Sequence, residues 1–522
     1  MKVAVVGSGA AGLAATWLLN EHTDHQVHLY EADDRPGGHA NTVKFVPPGK
    51  KEEEGVWIVF NPSTYPNFIN FLKQQGIQYV PTEMTFSVSR DRGAFEWAGD
   101  NLMTVFCQPY RLVDPEMWCL LYDVLRFNAC CRSIIATPYD GTEESIGEYL
   151  DREGYSESFK DNYLIPMTAC IWSTPPDKCA MDFPARTLIQ FLNNHHLLQI
   201  TGKPSWLTLA GGRQSSSNIL CSRVYVNKIL SKLPAEQLHL STPIAAVSTE
   251  EGTSGVQLTT AGGVMETYDH VIFACHSDTT LQILRAGEGM TKDEEEILGM
   301  FQWNRNEAIL HSDVNLMPQS RLAWSCWNYL TQSVQDAQGK RKANSDQVSL
   351  YVAILLSTHG MNDLQHISEK QHGPVLVTLN PPFEPRTDLQ AGRWQYDHPV
   401  LDSTAIRAQK RMSEIQHTRG LSYAGAWLKY GFHEDAFASG LAAVRPLVGK
   451  GGRMPFQIDL EVDRRPPSAW AAVMFFRLFE GSGARAGVAL VGGWGIGVLG
   501  WVLWSVFGWG KELRGGKRVK LD

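Results

Sequence analysis

Residues 3–12, Val-Ala-Val-Val-Gly7-Ser-Gly9-Ala10-Ala11-Gly12, constrain the fold more than any other part of the chain. The apolar run Val3 to Val6 has the composition of a parallel strand buried on both faces. It breaks into Gly-x-Gly-x-x-Gly, and Leu13 to Leu19 then carries helical spacing. Strand, glycine turn and helix start make a dinucleotide-binding fingerprint. Gly7 permits the tight turn, Gly9 lets the backbone approach a pyrophosphate, and Gly12 lets the helix pack on the strand. Ala10 and Ala11, within the glycine turn, are expected to bind the cofactor, and the unsatisfied N–H groups and partial positive charge of the helix N-terminus suit phosphate. A second strand, Val27 to Tyr30, ends in Glu31, about 20 residues after the glycines, where an acid can bind a ribose hydroxyl.

Two longer motifs then separate FAD from NAD. The stretch Glu31-Ala32-Asp-Asp-Arg35-Pro-Gly37-Gly38-His39 resembles the extended motif of the flavin-containing amine oxidase superfamily, although His39 stands where that superfamily usually has Arg. Roughly 400 residues downstream, Tyr423-Ala-Gly425-Ala-Trp427 and Gly431-Phe-His433-Glu434-Asp435 resemble the superfamily's C-terminal flavin motif. There Trp427 replaces a customary acid and Asp435 a customary Gly. The resemblance implies that Ala32, Arg35, Gly37, Gly38 and His39 run along FAD. It also implies that Val247 meets the adenine end, and that Gly425, His433, Glu434 and Asp435 reach the flavin. No cysteine lies in the C-terminal motif, so the FAD is expected to be non-covalent. The blocks Asn61–Asn67, Ile171–Pro176, Trp324–Tyr329 and Leu376–Pro381 resemble one branch of the superfamily. Its members are amine-oxidase-like FAD/NAD(P)-binding oxidoreductases related to bacterial enzymes that desaturate methyl-branched fatty acyl chains. Two stretches, 213–222 and 353–360, interrupt that pattern and read either as surface insertions or as errors in the gene model.

At 522 residues the chain exceeds one ordinary core. The expected fold is α/β, a Rossmann-like FAD-binding domain interleaved with an α+β substrate domain. FAD-binding parts are expected at 1–90, 206–285 and 396–450, and substrate-domain parts at 91–205 and 286–395. A linker over 451–485, a transmembrane anchor at 486–510 and a basic tail at 511–522 follow. The anchor reading rests on a segment with no charged residue, rich in Val, Leu, Ile and Trp, with Lys511 and Arg514 just beyond it. It places the chain at a membrane, the mitochondrial outer membrane or endoplasmic reticulum, with the catalytic domain cytosolic. The basic cluster also suits a surface association without a span. A net charge of −8 gives no case for nucleic-acid binding. No metal-ligand spacing is present, and His195-His196 reads as a helix or loop edge.

The chemistry expected is that of an FAD-dependent oxidoreductase, with the protein orienting a C–H bond and excluding water. Dehydrogenating a lipid needs a base for the proton leaving the adjacent carbon, and His433, Glu434 and His39 have suitable titration ranges. Trp427, with Tyr430 and Phe432, suits an aromatic wall that would steer a neutral amine. His433, Glu434 and Trp427 are therefore the candidate catalytic residues. The leading expectation is a membrane-tethered enzyme desaturating a hydrophobic small-molecule or lipid substrate, with oxygen as electron acceptor. The alternatives are an amine oxidase releasing aldehyde, ammonia and peroxide, and an inactive flavin-binding membrane protein.

Overall fold

Five parallel strands build the sheet that carries the glycine fingerprint. β1 (Lys2–Val6), β2 (Gln26–Tyr30), β3 (Leu238–His239), β4 (His270–Phe273) and β5 (Leu421–Tyr423) lie in the order β3-β2-β1-β4-β5. Each neighbouring pair runs parallel. Val3, Ala4 and Val5 are fully buried, as an unbroken apolar strand between two covered faces requires. Strand order reverses between β1 and β4, so the carboxyl ends of these two strands flank the crevice where open α/β sheets bind ligands.

The computed structural model describes residues 1–483, apart from 46–52, 56–58, 139–143, 173–180, 200–201, 211–221, 250–254, 336–340, 344–355, 382, 450–452, 461–462 and 467–468. The helices that matter here are α1 (Ala10–His22), α2 (Pro66–Gln75), α3 (Leu102–Val105), α4 (Pro115–Cys130), α5 (His433–Val444) and α6 (Trp470–Gly481). α1 is buried almost all round, from Ala11 to Leu19, because the sheet lies on one side and α5 on the other. Gly440 makes the second contact possible: a Cβ there would stand 2.1 Å from the Ala11 carbonyl oxygen. The two signatures, far apart in sequence, thus meet through a helix crossing that only glycine allows.

A second sheet of seven strands forms the floor of the other half. Its order is Gln390–Val400, Gln302–His311, Leu376–Leu379, Leu356–Gly360, Trp327–Thr331, Phe86–Arg90 and Phe95–Ala98. Only Trp327–Thr331 and Phe86–Arg90 pair in parallel. Helices between residues 102 and 194 pack over this sheet in a separate apolar core built on Phe127, Phe159, Leu188 and Phe191. Residues 356–360, expected to belong to an insertion, form an interior strand with partners on both sides, while 353–355 and 213–221 lie outside the described residues. The expected anchor, 486–510, and basic tail also lie outside them. Among the described residues, no helix is long and apolar enough to cross a membrane.

Candidate active site

A cavity of about 1340 Å³ runs from the carboxyl end of the parallel sheet into the space between the two halves. At the sheet end it is lined by Gly7, Gly9, Ala10, Ala11 and Glu31, with Gly37, Gly38 and His39 alongside. Gly7 has φ +102°, a left-handed conformation that suits glycine, and a Cβ there would meet the Ala274 carbonyl oxygen at 2.9 Å. Gly12 sits behind the turn, where a Cβ would fall 1.8 Å from the Gly7 carbonyl oxygen. Gly9 differs. A Cβ on it would meet nothing within 4 Å, so its backbone borders open space.

Hydrogen bonds hold this cradle in shape. The Glu31 carboxylate accepts from the Ser8 backbone N–H at 2.9 Å, from the Ser8 hydroxyl, and from the Asp33 N–H at 3.0 Å. The Gly37 N–H donates to Ser8 Oγ at 3.1 Å, tying the second glycine loop to the first. Arg35 does not line the cavity; its guanidinium donates to the Gly38 carbonyl at 2.9 Å and so pins the loop from behind. Ala32 is exposed outside the cavity, and Val247 is buried in the small sheet of strands Ile244–Ser248 and Val256–Thr260.

The C-terminal motif supplies the facing wall, with Gly425, Ala426, Trp427, Gly431, Phe432 and His433. Ser439, in the second turn of α5, accepts from the Gly425 N–H at 2.9 Å and so fixes the approach of the chain to the helix. Trp427 is buried; its indole N–H donates to the Cys275 carbonyl at 3.1 Å and its ring packs edge-on against Phe301. His433 opens α5 with Nε2 buried and without a partner. Burial pushes its pKa down to about 3, so the imidazole is neutral at physiological pH.

Glu434 and Asp435 face away from the cavity. One Glu434 oxygen accepts from Asn67 N and Nδ2 at 2.9 and 2.8 Å, and the other from Phe68 N at 3.0 Å. Those donors sit in the first turn of α2, where unsatisfied N–H groups and the helix dipole attract a carboxylate. Burial raises the Glu434 pKa to about 8, against the pull of these bonds. Asp435 accepts from the Phe432 N–H at 2.9 Å and so caps its own helix. Of the three candidate catalytic residues, the structure brings Trp427 and His433 to the cavity and commits Glu434 to α2.

Several lining residues were not among the sequence-predicted ones. His276 and His398 converge on His39, with ring centroids 5.8 and 5.7 Å from it. Desolvation first, then mutual proximity, holds His39 well below the ordinary histidine value; desolvation likewise brings His398 to about 4 and lowers His276. The amide of Asn380 donates to Asn306 Oδ1 at 2.7 Å, and Asn306 Nδ2 lies 2.7 Å from His398 Nδ1. That chain makes Nδ1 an acceptor and leaves the proton of His398 on Nε2. Asp397 lines the same wall with Oδ1 buried and unpartnered. His276 was within reach of sequence reasoning, since it follows β4 at the carboxyl edge of the sheet. His398 and Asp397 lie in an antiparallel strand of the second sheet, whose placement over the first no local pattern reveals.

Past these residues the cavity becomes apolar and aromatic. Trp97, Tyr163, Met167, Ile171, Trp172 and Phe191 line its middle. Phe191 stacks on Phe432 at 5.0 Å between ring centroids and meets Tyr430 edge-on. His195, buried on Phe191, also lines it; desolvation lowers its pKa to about 4.

The residues fit an FAD. Gly9 presents backbone to open space, α1 points its N-terminus there, Glu31 borders the same space, and His433 Nε2 is an orphaned polar atom on the opposite wall. The family described as flavin containing amine oxidoreductase matches residues 10–286, over half of the 522. Among solved structures, CLA-producing fatty acid isomerase from P. acnes is 14% identical with a TM-score of 0.56, over 85% of this chain and 98% of that one. Cyclohexylamine oxidase from Brevibacterium oxydans is 12% identical with a TM-score of 0.56, over 85% of this chain and 99% of that one. A reduced UDP-galactopyranose mutase is 15% identical with a TM-score of 0.56, over 90% and 98%.

Proposed function

This chain belongs to the flavin containing amine oxidoreductase family, an FAD-dependent oxidoreductase, and we propose that it dehydrogenates a hydrophobic substrate of the fatty-acyl class while tethered to a membrane by residues 486–510. The observation that carries the proposal is the composition of the cavity beyond the cofactor cradle. A channel walled by Trp97, Met167, Ile171, Trp172 and Phe191 recognises a chain of methylenes by burial, at about 0.8 kcal/mol per CH₂. One of the structural neighbours is named for a fatty acid, which is consistent with a fold that admits such chains.

When bound, FAD supplies the two-electron acceptor for the C–H bond that breaks. The chain's own residues do the rest. Gly7, Gly9, Glu31 and the start of α1 would hold the adenylate half, and Gly425, Trp427 and His433 would border the ring end. Phe191, stacked on Phe432, adds aromatic surface against which a substrate chain can lie. The imidazoles of His39, His276 and His398 are neutral at physiological pH, so this part of the wall offers hydrogen-bonding groups without adding positive charge. His398 presents Nε2–H as a donor.

A second reading, amine oxidation, draws on one specific feature. The unpartnered Asp397 oxygen beside His398 offers an anion to a cationic amine. Anaerobic mixing of the purified full-length protein with palmitate, a phosphatidylcholine, putrescine or cyclohexylamine decides between the two. Bleaching of the flavin's visible absorbance by an acyl probe alone is expected. Bleaching by an amine alone, with peroxide formed on readmitting oxygen, would reverse the assignment.

A further inference from the structure

The cavity reaches the surface beside α3 and α4, where exposed Asp100 and Lys203 line it together with apolar residues, and α6 packs against α4 alongside. Leu102 of α3 and Trp118 and Leu125 of α4 each line the cavity and are also exposed, at 76, 45 and 47%. Met103, beside them, is 72% exposed. α6 packs on the same α4. Its Phe476 and Phe479 bracket the Tyr122 ring at 5.5 and 6.0 Å, and Glu480 pairs with Arg126 at 3.0 Å. Tyr122 itself lines the cavity.

Among the described residues nothing covers the other side of α6. Trp470, Met474, Phe475 and Leu478 are 73, 46, 59 and 65% exposed. A helix that is apolar almost all round is normally buried on every side, and exposed apolar surface concentrated in this way marks an interaction site. Two observations select the occupant. The segment after α6, residues 486–510, holds no charged residue, so the chain carries a second apolar element immediately beyond the patch. The patch also borders the exposed end of the cavity through Leu102, Trp118 and Leu125, and a second copy of the chain or a protein partner seated there would seal it. A bilayer covers the patch and leaves the channel open to acyl chains. The one exposed cation of α6, Arg477, suits lipid phosphate.

We infer that the α3–α4–α6 face docks into one leaflet of a membrane, so that the substrate cavity opens directly onto the lipid acyl chains. The inference takes its substrate from the acyl-chain reading above, but the docking stands apart from the tether.

Vesicle flotation separates the two. Four full-length proteins are mixed with phosphatidylcholine vesicles: the natural chain, a face variant (Leu102→Asp with Phe475→Asp), an anchor variant (Leu490→Arg with Leu499→Arg), and the combination. Both face positions are exposed, and retained FAD confirms folding. The anchor variant is expected to float still, and charging the face in that background is expected to lower vesicle-bound protein about tenfold or more. The natural chain and the face variant are both expected to resist carbonate extraction. An anchor variant that stays wholly in solution overturns the docking proposal, whatever the tether does. Equal flotation of the anchor variant and the combination also overturns it. A face variant that washes off in carbonate while the anchor variant floats removes the tether and leaves the docking face in place. A dimer in size-exclusion chromatography that the face variant alone converts to monomer assigns the patch to a second copy and overturns the proposal.

Discussion

Replacing Glu434 by Gln tests whether its carboxyl group is a structural cap or part of the chemistry. Glu434 takes three N–H donors from the first turn of α2, two on one oxygen and one on the other. Glutamine keeps one acceptor. With its carbonyl turned to Asn67, its NH₂ group faces the Phe68 N–H, leaving two buried donors opposed. An unmade buried hydrogen bond costs about 1–3 kcal/mol, so a loss of about 2–3 kcal/mol is expected where the native carboxyl carries no ionisation penalty. The pH dependence sharpens the test. The folded pKa, about 8, lies above the ordinary value of 4.5, so the group favours folding at low pH. That contribution is lost as pH rises from 4.5 through 8, and the difference reaches up to about 3 kcal/mol near pH 7. Gln does not titrate. The variant should therefore be clearly less stable than the natural protein near pH 5 and approach it near pH 8. Denaturant unfolding across this range, with turnover measured on the folded fraction, reads both effects. Stability equal to the natural protein at pH 5, together with a hundredfold or greater fall in turnover of the type expected for a lost acid or base, would refute the capping argument.

The glycines should separate binding from packing. Gly9→Val adds atoms only to open space, so the flavin-free protein should keep its stability to within about 0.5 kcal/mol while FAD affinity falls sharply; Gly440→Ala should destabilise the α1–α5 contact by about 1–3 kcal/mol, as thermal unfolding will report. Trp427→Phe removes the bond to the Cys275 carbonyl and should cost about 1 kcal/mol with turnover nearly unchanged, whereas a collapse in turnover would place Trp427 in the reaction. His433, His195, His270, His311 and His398 are all held below 6.5, at about 3 for the first and about 4 for the rest. Their stabilising contribution is complete above pH 6.5 and lost as pH falls toward those values. At pH 5 each can account for up to ~2 kcal/mol, so the melting temperature should fall steeply between pH 6.5 and 4, and His433→Gln should flatten that slope.

Much of the cofactor half was legible because its determinants are local. A buried strand, a turn needing Gly7 at φ +102° and a helix start are neighbours in sequence, so their pattern survives without any tertiary information. The C-terminal motif was legible by resemblance, yet its individual roles were not. Whether Glu434 points into the cavity or into α2 depends on where Asn67 lies, more than 360 residues earlier. His276 stood at a readable position, the end of a parallel strand. His398 and Asp397 did not, because an antiparallel strand shows alternation but not what its sheet faces. The apolar face at the mouth was equally hidden: the exposure of Leu102 and Phe475 emerges only when α3, α4 and α6 are packed together.

In the reading proposed above, residues 7–39 and 425–440 would form one cradle for the whole of FAD, with the adenylate half on the opening glycines and Glu31. Titrating the flavin-stripped, full-length protein with FAD and with FMN, which lacks that half, tests this directly by quenching of flavin fluorescence. Saturation at one FAD per chain is expected, with FMN bound at least about a hundredfold more weakly, a difference of about 2.7 kcal/mol. Equal binding of the two, or no saturable uptake of FAD, would contradict it.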